Sequence, residues 1–202
     1  MFTFDSVTHR YLHGTRQVRS VTGMIKAAGL LGPAAQFYSK EAAERGTRVH
    51  RACLDFDLGL VPDIQHEEAM YLNSYAQWSG LCRPIWTEME QPKHSERFNF
   101  AGTADRVGHI RSWGMDNKPV IVDLKTGGAS SWHGIQLALY DVLYDEIPPM
   151  IRRRLVLHLK KNGGIPQVVE YHDLSDYTTA YMILAGEHND IGHNDFEPQT
   201  ES

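Results

Sequence analysis

Apolar and polar residues alternate from Phe2 to Val18 on either side of a His13-Gly14 turn, and this period of two predicts an N-terminal β-hairpin. The pattern then turns helical. Ser20-Val21-Thr22 offers capping hydroxyls before a short helix from Met24 to Ala28, which Gly29 ends. A longer helix is predicted from about Ala34 to Leu58, with Gly59 as its stop and Val49, Cys53 and Phe56 as its apolar stripe. Gly46 and His50 lie four apart on one face of that helix. Glycine inside a helix costs about 0.5–1 kcal/mol relative to alanine, which implies that something packs closely there. His50, at the edge of the stripe, either reaches into a cleft or is an ordinary helix histidine.

A further helix is expected from Glu67 to Trp78, with Gly80 as a breaker. After Pro84, Ile85 to Glu90 reads as a strand with Trp86, Glu88 and Glu90 on one face and Ile85, Thr87 and Met89 on the other. Ala101 to Ile110 and Pro119 to Thr126 read as a hairpin, with Trp113 to Lys118 as its polar turn and the β-branched run Val120-Ile121-Val122 marking a buried strand. Gly127-Gly128 ends that strand, and Ser130 or Ser131 can cap a helix over 131–145 with Ile135, Leu139, Val142 and Leu143 as core residues. Pro148-Pro149 closes the helix, and an alternating strand follows from Arg154 to Lys160. Strand, helix and strand make a βαβ unit with a parallel crossover. Asn162-Gly163-Gly164 leads into a strand from Gln167 to His172, and a helix from Asp176 to His188 comes last.

At 202 residues, 42% hydrophobic and 22% charged, the chain suits one buried core, so a single domain over 1–190 with a frayed polar tail over 191–202 is expected. No run approaches the roughly 18 apolar residues of a membrane span, and Met1 to Asp5 lacks the layout of a signal peptide. The expectation is a soluble protein of a bacterial or phage-infected cytoplasm, without a membrane partner. Two cysteines, Cys53 and Cys82, are too few for a four-cysteine zinc site or a cysteine-ligated iron–sulfur cluster. The net charge of −5 speaks against a polyanionic partner until its distribution is considered. Basic residues gather at Arg45, Arg48 and Arg51, at Arg152 to Arg154, and at Lys160 and Lys161, which permits a local phosphate track without requiring one.

The chemistry concentrates in Gly102-Thr103-Ala104-Asp105 and Asp123-Leu124-Lys125. In a hairpin symmetric about Gly114, positions whose numbers sum to 228 lie opposite each other, so Asp105 faces Asp123. Like charges directly opposite are destabilising, and a divalent cation between them is the natural resolution. Lys125 shares the face of Asp123, whereas Leu124 points away. Two carboxylates, an ammonium and a nearby Glu form a hard-oxygen site suited to Mg2+ or Mn2+ and to phosphodiester hydrolysis.

Gly46-Thr47-Arg48-Val49-His50, Glu90, Gly102-Thr103-Ala104-Asp105, Asp123-Leu124-Lys125-Thr126 and Gln136-Leu137-Ala138-Leu139-Tyr140 occur in that order. The series resembles the RecB-type branch of the PD-(D/E)XK nuclease superfamily, and Ser20-Val21-Thr22 with Glu41 to Gly46 looks like its phage or prophage members. The resemblance implies an α/β fold with a restriction-endonuclease-like core, a central mixed β-sheet flanked by helices. It implies Asp105, Asp123, the Leu124 carbonyl and His50 as metal ligands, Lys125 as the catalytic lysine and Glu90, in preference to Glu88, as the upstream acid. Gln136 and Tyr140 would contact DNA or support the site, with Thr126, Arg48, Ser20 and Thr22 as further supporting positions. Ala104 stands where the superfamily name has proline, and the cluster cysteines of some relatives are absent.

The expectation is therefore a Mg2+- or Mn2+-dependent DNA exonuclease of phage replication, recombination or repair. A structure-selective or nicking endonuclease of the same fold is the alternative enzyme. A DNA-end-binding accessory module is the alternative from another class, and it gains little from paired carboxylates beside a lysine. Partners would be DNA and a recombinase, a single-strand-binding protein or a helicase, since the chain has no P-loop of its own.

Overall fold

The N-terminal alternation produces three strands, correcting the expected hairpin: β1 (Phe2–Asp5), β2 (Arg10–His13) and β3 (Arg16–Ser20) form an antiparallel meander. Gly14, at φ +63°, makes the β2–β3 turn. The structure is a computed structural model that describes residues 1–5, 8, 10–31, 39–113, 118–144 and 152–191. The expected start of the long helix at Ala34, the turn at Gly114 and the Pro148-Pro149 break lie outside the described residues.

Helix α1 (Val21–Ala27) starts three residues earlier than expected, because the Ser20 hydroxyl caps it by accepting the Gly23 N–H at 3.0 Å. Helix α2 (Lys40–Asp57) is capped by Ser39 in the same way and is followed by Gly59 at φ +70°. Its buried stripe is Val49, Ala52 and Cys53, with Phe56 left 39% exposed. Helix α3 (His66–Cys82) runs through Gly80. The cost of one helical glycine, about 1 kcal/mol, is small beside the burial of Tyr71, Tyr75 and Trp78. Each aromatic buries roughly 150–250 Å², worth several kcal/mol at about 25 cal/mol per Å². The helix stops at left-handed Arg83, φ 52°, where Pro84 disfavours the helical conformation.

Strand β4 (Pro84–Ser95) is twice as long as expected and carries a bulge at Thr87. Strand β5 (Phe100–Ile110), a 3-10 turn over Arg111–Trp113 and strand β6 (Val120–Lys125) follow. The β5–β6 register is Arg106 with Val122, Val107 with Ile121 and Gly108 with Val120, so every pair sums to 228 as expected. Helix α4 (His133–Tyr144) starts at His133, whose N–H donates to the Ser130 carbonyl. Strand β7 (Arg153–His158) pairs parallel with β6, completing the expected βαβ unit, and strand β8 (Gln167–Tyr171) pairs antiparallel with β7. Helix α5 (Ser175–Ile191) runs past the expected end at His188 and takes in Ile191, the first residue of the expected tail.

Among the described residues the eight strands form one mixed sheet in the order β1-β2-β3-β5-β6-β7-β8, with β4 also on β5. Because β4 runs the length of β5 on one edge, β3 and β6 must share the other. β3 pairs with Phe100 and Ala101, β6 pairs with Arg106 to Gly108, and the strand between them, 102–105, is flanked by neither ladder. Period two sorts β6 between two cores. Val120, Val122 and Leu124 pack with Val49, Cys53 and Tyr75 on the α2–α3 side, whereas Ile121 packs with Leu137, Leu139 and Val156 on the α4 side. The carboxylates of Asp105 and Asp123 thus lie where the sheet splits.

Candidate metal centre

Side chains pack closely over Gly102, at the start of the split. A Cβ there would stand 2.8 Å from Val21 Cγ2, 2.9 Å from Tyr140 Cε1 and 3.0 Å from Leu143 Cδ1, so only glycine lets α1 and α4 close on the strand. Gly46 has a different environment from the one expected: its nearest neighbour would be Thr126 Oγ1 at 3.9 Å, an ordinary contact that leaves room beside Thr126.

At Asp105 the strands part and side chain replaces ladder: the Leu124 N–H donates to Asp105 Oδ2 at 2.6 Å. His50 reaches from α2 to the same point. Its Nε2 lies 2.8 Å from the Leu124 carbonyl, its Nδ1 3.2 Å from Asp105 Oδ1 and 4.0 Å from Glu90 Oε1. Burial alone would lower the His50 pKa, but Asp105, Glu90 and Asp123 raise it to about 9. At neutral pH the ring is therefore an imidazolium, donating from both nitrogens to the carbonyl and the carboxylate. Burial likewise pushes Asp105 up, yet His50 and then Lys125 bring it below its ordinary value. Glu90 goes the other way, to about 7, through burial and the neighbouring Asp105 charge.

Asp123 faces Lys125, whose Nζ is 2.5 Å from Asp123 Oδ2 and 5.6 Å from the centre of the Trp132 ring. Burial raises the Asp123 pKa, with Lys125 opposing and Asp105 adding to the rise. On α4, Gln136 Nε2 donates to the Tyr140 hydroxyl at 3.2 Å, while Gln136 Oε1 is buried without a hydrogen-bond partner among the described residues. Burial, followed by the charges of Asp123 and Asp105, raises the Tyr140 pKa.

The structure thus brings together His50, Glu90, Asp105 and the Leu124 carbonyl, with Asp123 and Lys125 next to them and Gln136 and Tyr140 behind. The other expected residues are engaged elsewhere. Ser20 is spent on capping α1 and Thr22 is exposed. Arg48 pairs with Glu68 on α3 at 2.8 Å. Thr126 lines a separate cavity. Glu88 does not accompany Glu90, as strict alternation had suggested. It pairs with Lys93 at 3.0 Å, because Glu90 adopts a left-handed backbone, φ 49°, that redirects its side chain.

What holds Glu90 there is Arg106, which sequence reasoning missed. Its side chain is 0% exposed. Nη1 donates to Glu90 Oε1 at 3.3 Å and to the Asp105 carbonyl at 2.7 Å, and Nε donates to Asp57 Oδ2 at 2.7 Å. The Tyr75 hydroxyl also donates to Asp57. An arginine inside an apolar strand, directly after Asp105, was the available signal, because a buried guanidinium must be paired.

The donor set fits a divalent cation. Ligand atoms of His50, Glu90 and Asp105 all lie within 4.8 Å of one another. One imidazole nitrogen among carboxylate and carbonyl oxygens is a donor set that a divalent cation accepts, and the ring must give up its proton to serve as a ligand.

The sequence matches no described protein family and no curated protein. Solved structures do share its shape. A candidate exonuclease from Eubacterium rectale superposes with a TM-score of 0.54 at 13% identity, over 92% of this chain and 91% of that one. SSO0001 gives 0.43 at 16% identity, over 91% and 81% of the two chains. LHK-Exo in complex with dAMP gives 0.37 at 9% identity, over 87% and 88%. The chain therefore has the α/β fold of the Eubacterium rectale protein, a central mixed sheet flanked by helices.

Proposed function

We propose that the chain is a divalent-metal-dependent deoxyribonuclease of the RecB-like PD-(D/E)XK type, releasing nucleotides from DNA ends in phage replication, recombination or repair. The observation that carries this reading is the cluster of His50, Glu90, Asp105 and the Leu124 carbonyl beside the Asp123–Lys125 pair. The exonuclease name of a protein with the same fold supports it.

His50, Asp105, Asp123 and the Leu124 carbonyl, with Glu90 alongside, would hold Mg2+ or Mn2+. When bound, the cation supplies positive charge to the phosphoryl oxygens and acidifies water. Lys125, positioned by Asp123 and the Trp132 ring, stabilises the negative charge that develops as water attacks phosphorus and the bridging P–O bond breaks. Gln136 and Tyr140 orient the carboxylates from behind. Arg106 opposes the rise in the Glu90 pKa and holds its carboxyl at the cluster.

The test is incubation of linear and covalently closed DNA with Mg2+ or Mn2+ against EDTA. Linear DNA should be degraded only with metal, closed circles should survive, and Asp123→Ala and Lys125→Ala should each lose at least a hundredfold in rate. Wild-type rates in either variant would sink the proposal. Cleavage of closed circles would make the enzyme an endonuclease instead.

A further inference from the structure

Most cations of the basic clusters are already neutralised. Arg45 pairs with Glu67 at 3.6 Å, Arg48 with Glu68 at 2.8 Å, Arg51 with Asp55 at 3.0 Å, Arg152 with Asp141 at 2.9 Å and Arg154 with Asp176 at 3.0 Å. Lys160 and Lys161 differ. Both are exposed and neither makes an ion pair among the described residues.

The turn that presents them is nevertheless built rigidly into α3. The Lys160 N–H donates to Ser74 Oγ at 3.0 Å, and Asn73 Nδ2 donates to the Gly163 carbonyl at 3.0 Å, joined there by the Gln77 amide. The Gly163 N–H returns to the Lys160 carbonyl at 3.0 Å, and Asn162 Oδ1 accepts the Gly164 N–H at 3.1 Å. Gly163 has φ +75°, and a Cβ on it would stand 2.8 Å from Met70 Cε, so the turn is both left-handed and tightly seated. Fixing a surface turn this firmly while leaving two ammonium groups unpaired makes sense where they meet an anion from outside.

Its position identifies that anion. β6 and β7 are parallel with Lys125 level with His158, and the Leu159 N–H donates to the Lys125 carbonyl at 2.8 Å. Lys160 therefore begins two residues beyond the level of Lys125, roughly 7 Å along the strand direction at about 3.3 Å per residue. That is about two nucleotide steps at 3.4 Å per strand. The turn borders a cavity of about 350 Å³ lined by Tyr71, Thr126, Leu159, Lys160, Lys161 and Asn162, and Thr126 is the residue next to Lys125.

We propose that the Lys160–Lys161 turn is an anchoring site for DNA backbone phosphates, gripping the strand a short way from the metal centre. The proposal rests on the nuclease reading and adds a second point of hold. Two ammonium groups on a preorganised turn neutralise about two phosphates and release their counterions.

The test is fluorescence anisotropy with a labelled duplex oligonucleotide in EDTA, where nothing is cut, from 50 to 200 mM KCl. Each phosphate contact contributes about 0.9 to the slope of log affinity against log salt, so Lys160→Ala/Lys161→Ala should flatten the slope by about 1.8. The affinity lost between the two salt concentrations should then shrink about 12-fold. Lys160→Arg/Lys161→Arg should keep the wild-type slope, Lys26→Ala should leave it nearly unchanged, and thermal midpoints should match throughout. An unchanged slope in the double alanine variant, or an equal change in Lys26→Ala, would overturn the anchor while leaving the nuclease reading intact. Absence of salt-sensitive DNA binding by the wild-type protein would bring down both.

Discussion

Replacing Arg106 with Met keeps an unbranched apolar stem and removes every donor, so its effect isolates the guanidinium. Three acceptors lose it at once: Asp57 Oδ2 at 2.7 Å, Glu90 Oε1 at 3.3 Å and the Asp105 carbonyl at 2.7 Å. The Arg106 side chain is 0% exposed and that of Asp57 5%, so water cannot replace the lost bonds cheaply. Deleting one partner of a buried ion pair costs about 3–5 kcal/mol. At roughly 2–4 °C per kcal/mol for a chain of this size, the thermal midpoint should fall by about 6–20 °C. Urea denaturation gives the free energy directly. A double variant tests the cause: if the cost is the stranded Asp57 charge, adding Asp57→Asn should recover part of it, with a coupling of about 0.5–3 kcal/mol. Glu90 reports separately. Its pKa, about 7, is held down in part by Arg106, so carboxyl NMR should show it rising in Arg106→Met. A loss below about 1 kcal/mol, or strictly additive Asp57 and Arg106 effects, would refute the reasoning.

Gly102→Ala should destabilise by about 1–3 kcal/mol, the usual cost of overpacking, because the new methyl meets Val21, Tyr140 and Leu143 at 3.0 Å or less. DNA hydrolysis should fall with it as Tyr140 shifts, and unchanged urea midpoints would contradict the packing account. His133 sets an acid limit. Burial, then the charges of Lys125 and His158, push its pKa from 6.5 down to about 3, so the folded chain refuses a proton that the unfolded chain accepts. The stabilisation is complete above pH 6.5 and is lost as pH falls toward 3. His133→Gln should flatten the stability profile across that window, and an equally steep profile in the variant would contradict the assignment. Asp105→Asn should weaken Mn2+ binding measured by calorimetry while preserving an acceptor for the Leu124 N–H; wild-type affinity would exclude Asp105 as a ligand.

The pairing of the two site strands was legible because hairpin register follows from turn symmetry and hydrophobic alternation, both local. Helix ends were legible where glycine takes positive φ, at Gly29 and Gly59, and illegible at Gly80, where aromatic burial outweighs propensity. Asp105, Asp123 and Lys125 stood out as polar residues on a strand otherwise committed to the core. Glu90 was named but its departure from the face of Glu88 was not, and Arg106 was missed altogether. One depends on a left-handed residue after a bulge, the other on Asp57 and Tyr75 from two helices, and no window of local sequence contains those partners.

The shared edge of β5 also orders events during synthesis. Arg19 and Ser20 pair with Phe100 and Ala101, so the first three strands leave the ribosome long before their only described partner in the sheet exists. Until then β3 is an open edge of the kind that recruits other chains. Its sequence, Arg16-Gln17-Val18-Arg19-Ser20, carries one apolar residue between two arginines. Charge repulsion thus guards the waiting strand, and the two arginines keep nascent copies apart before β5 has been made.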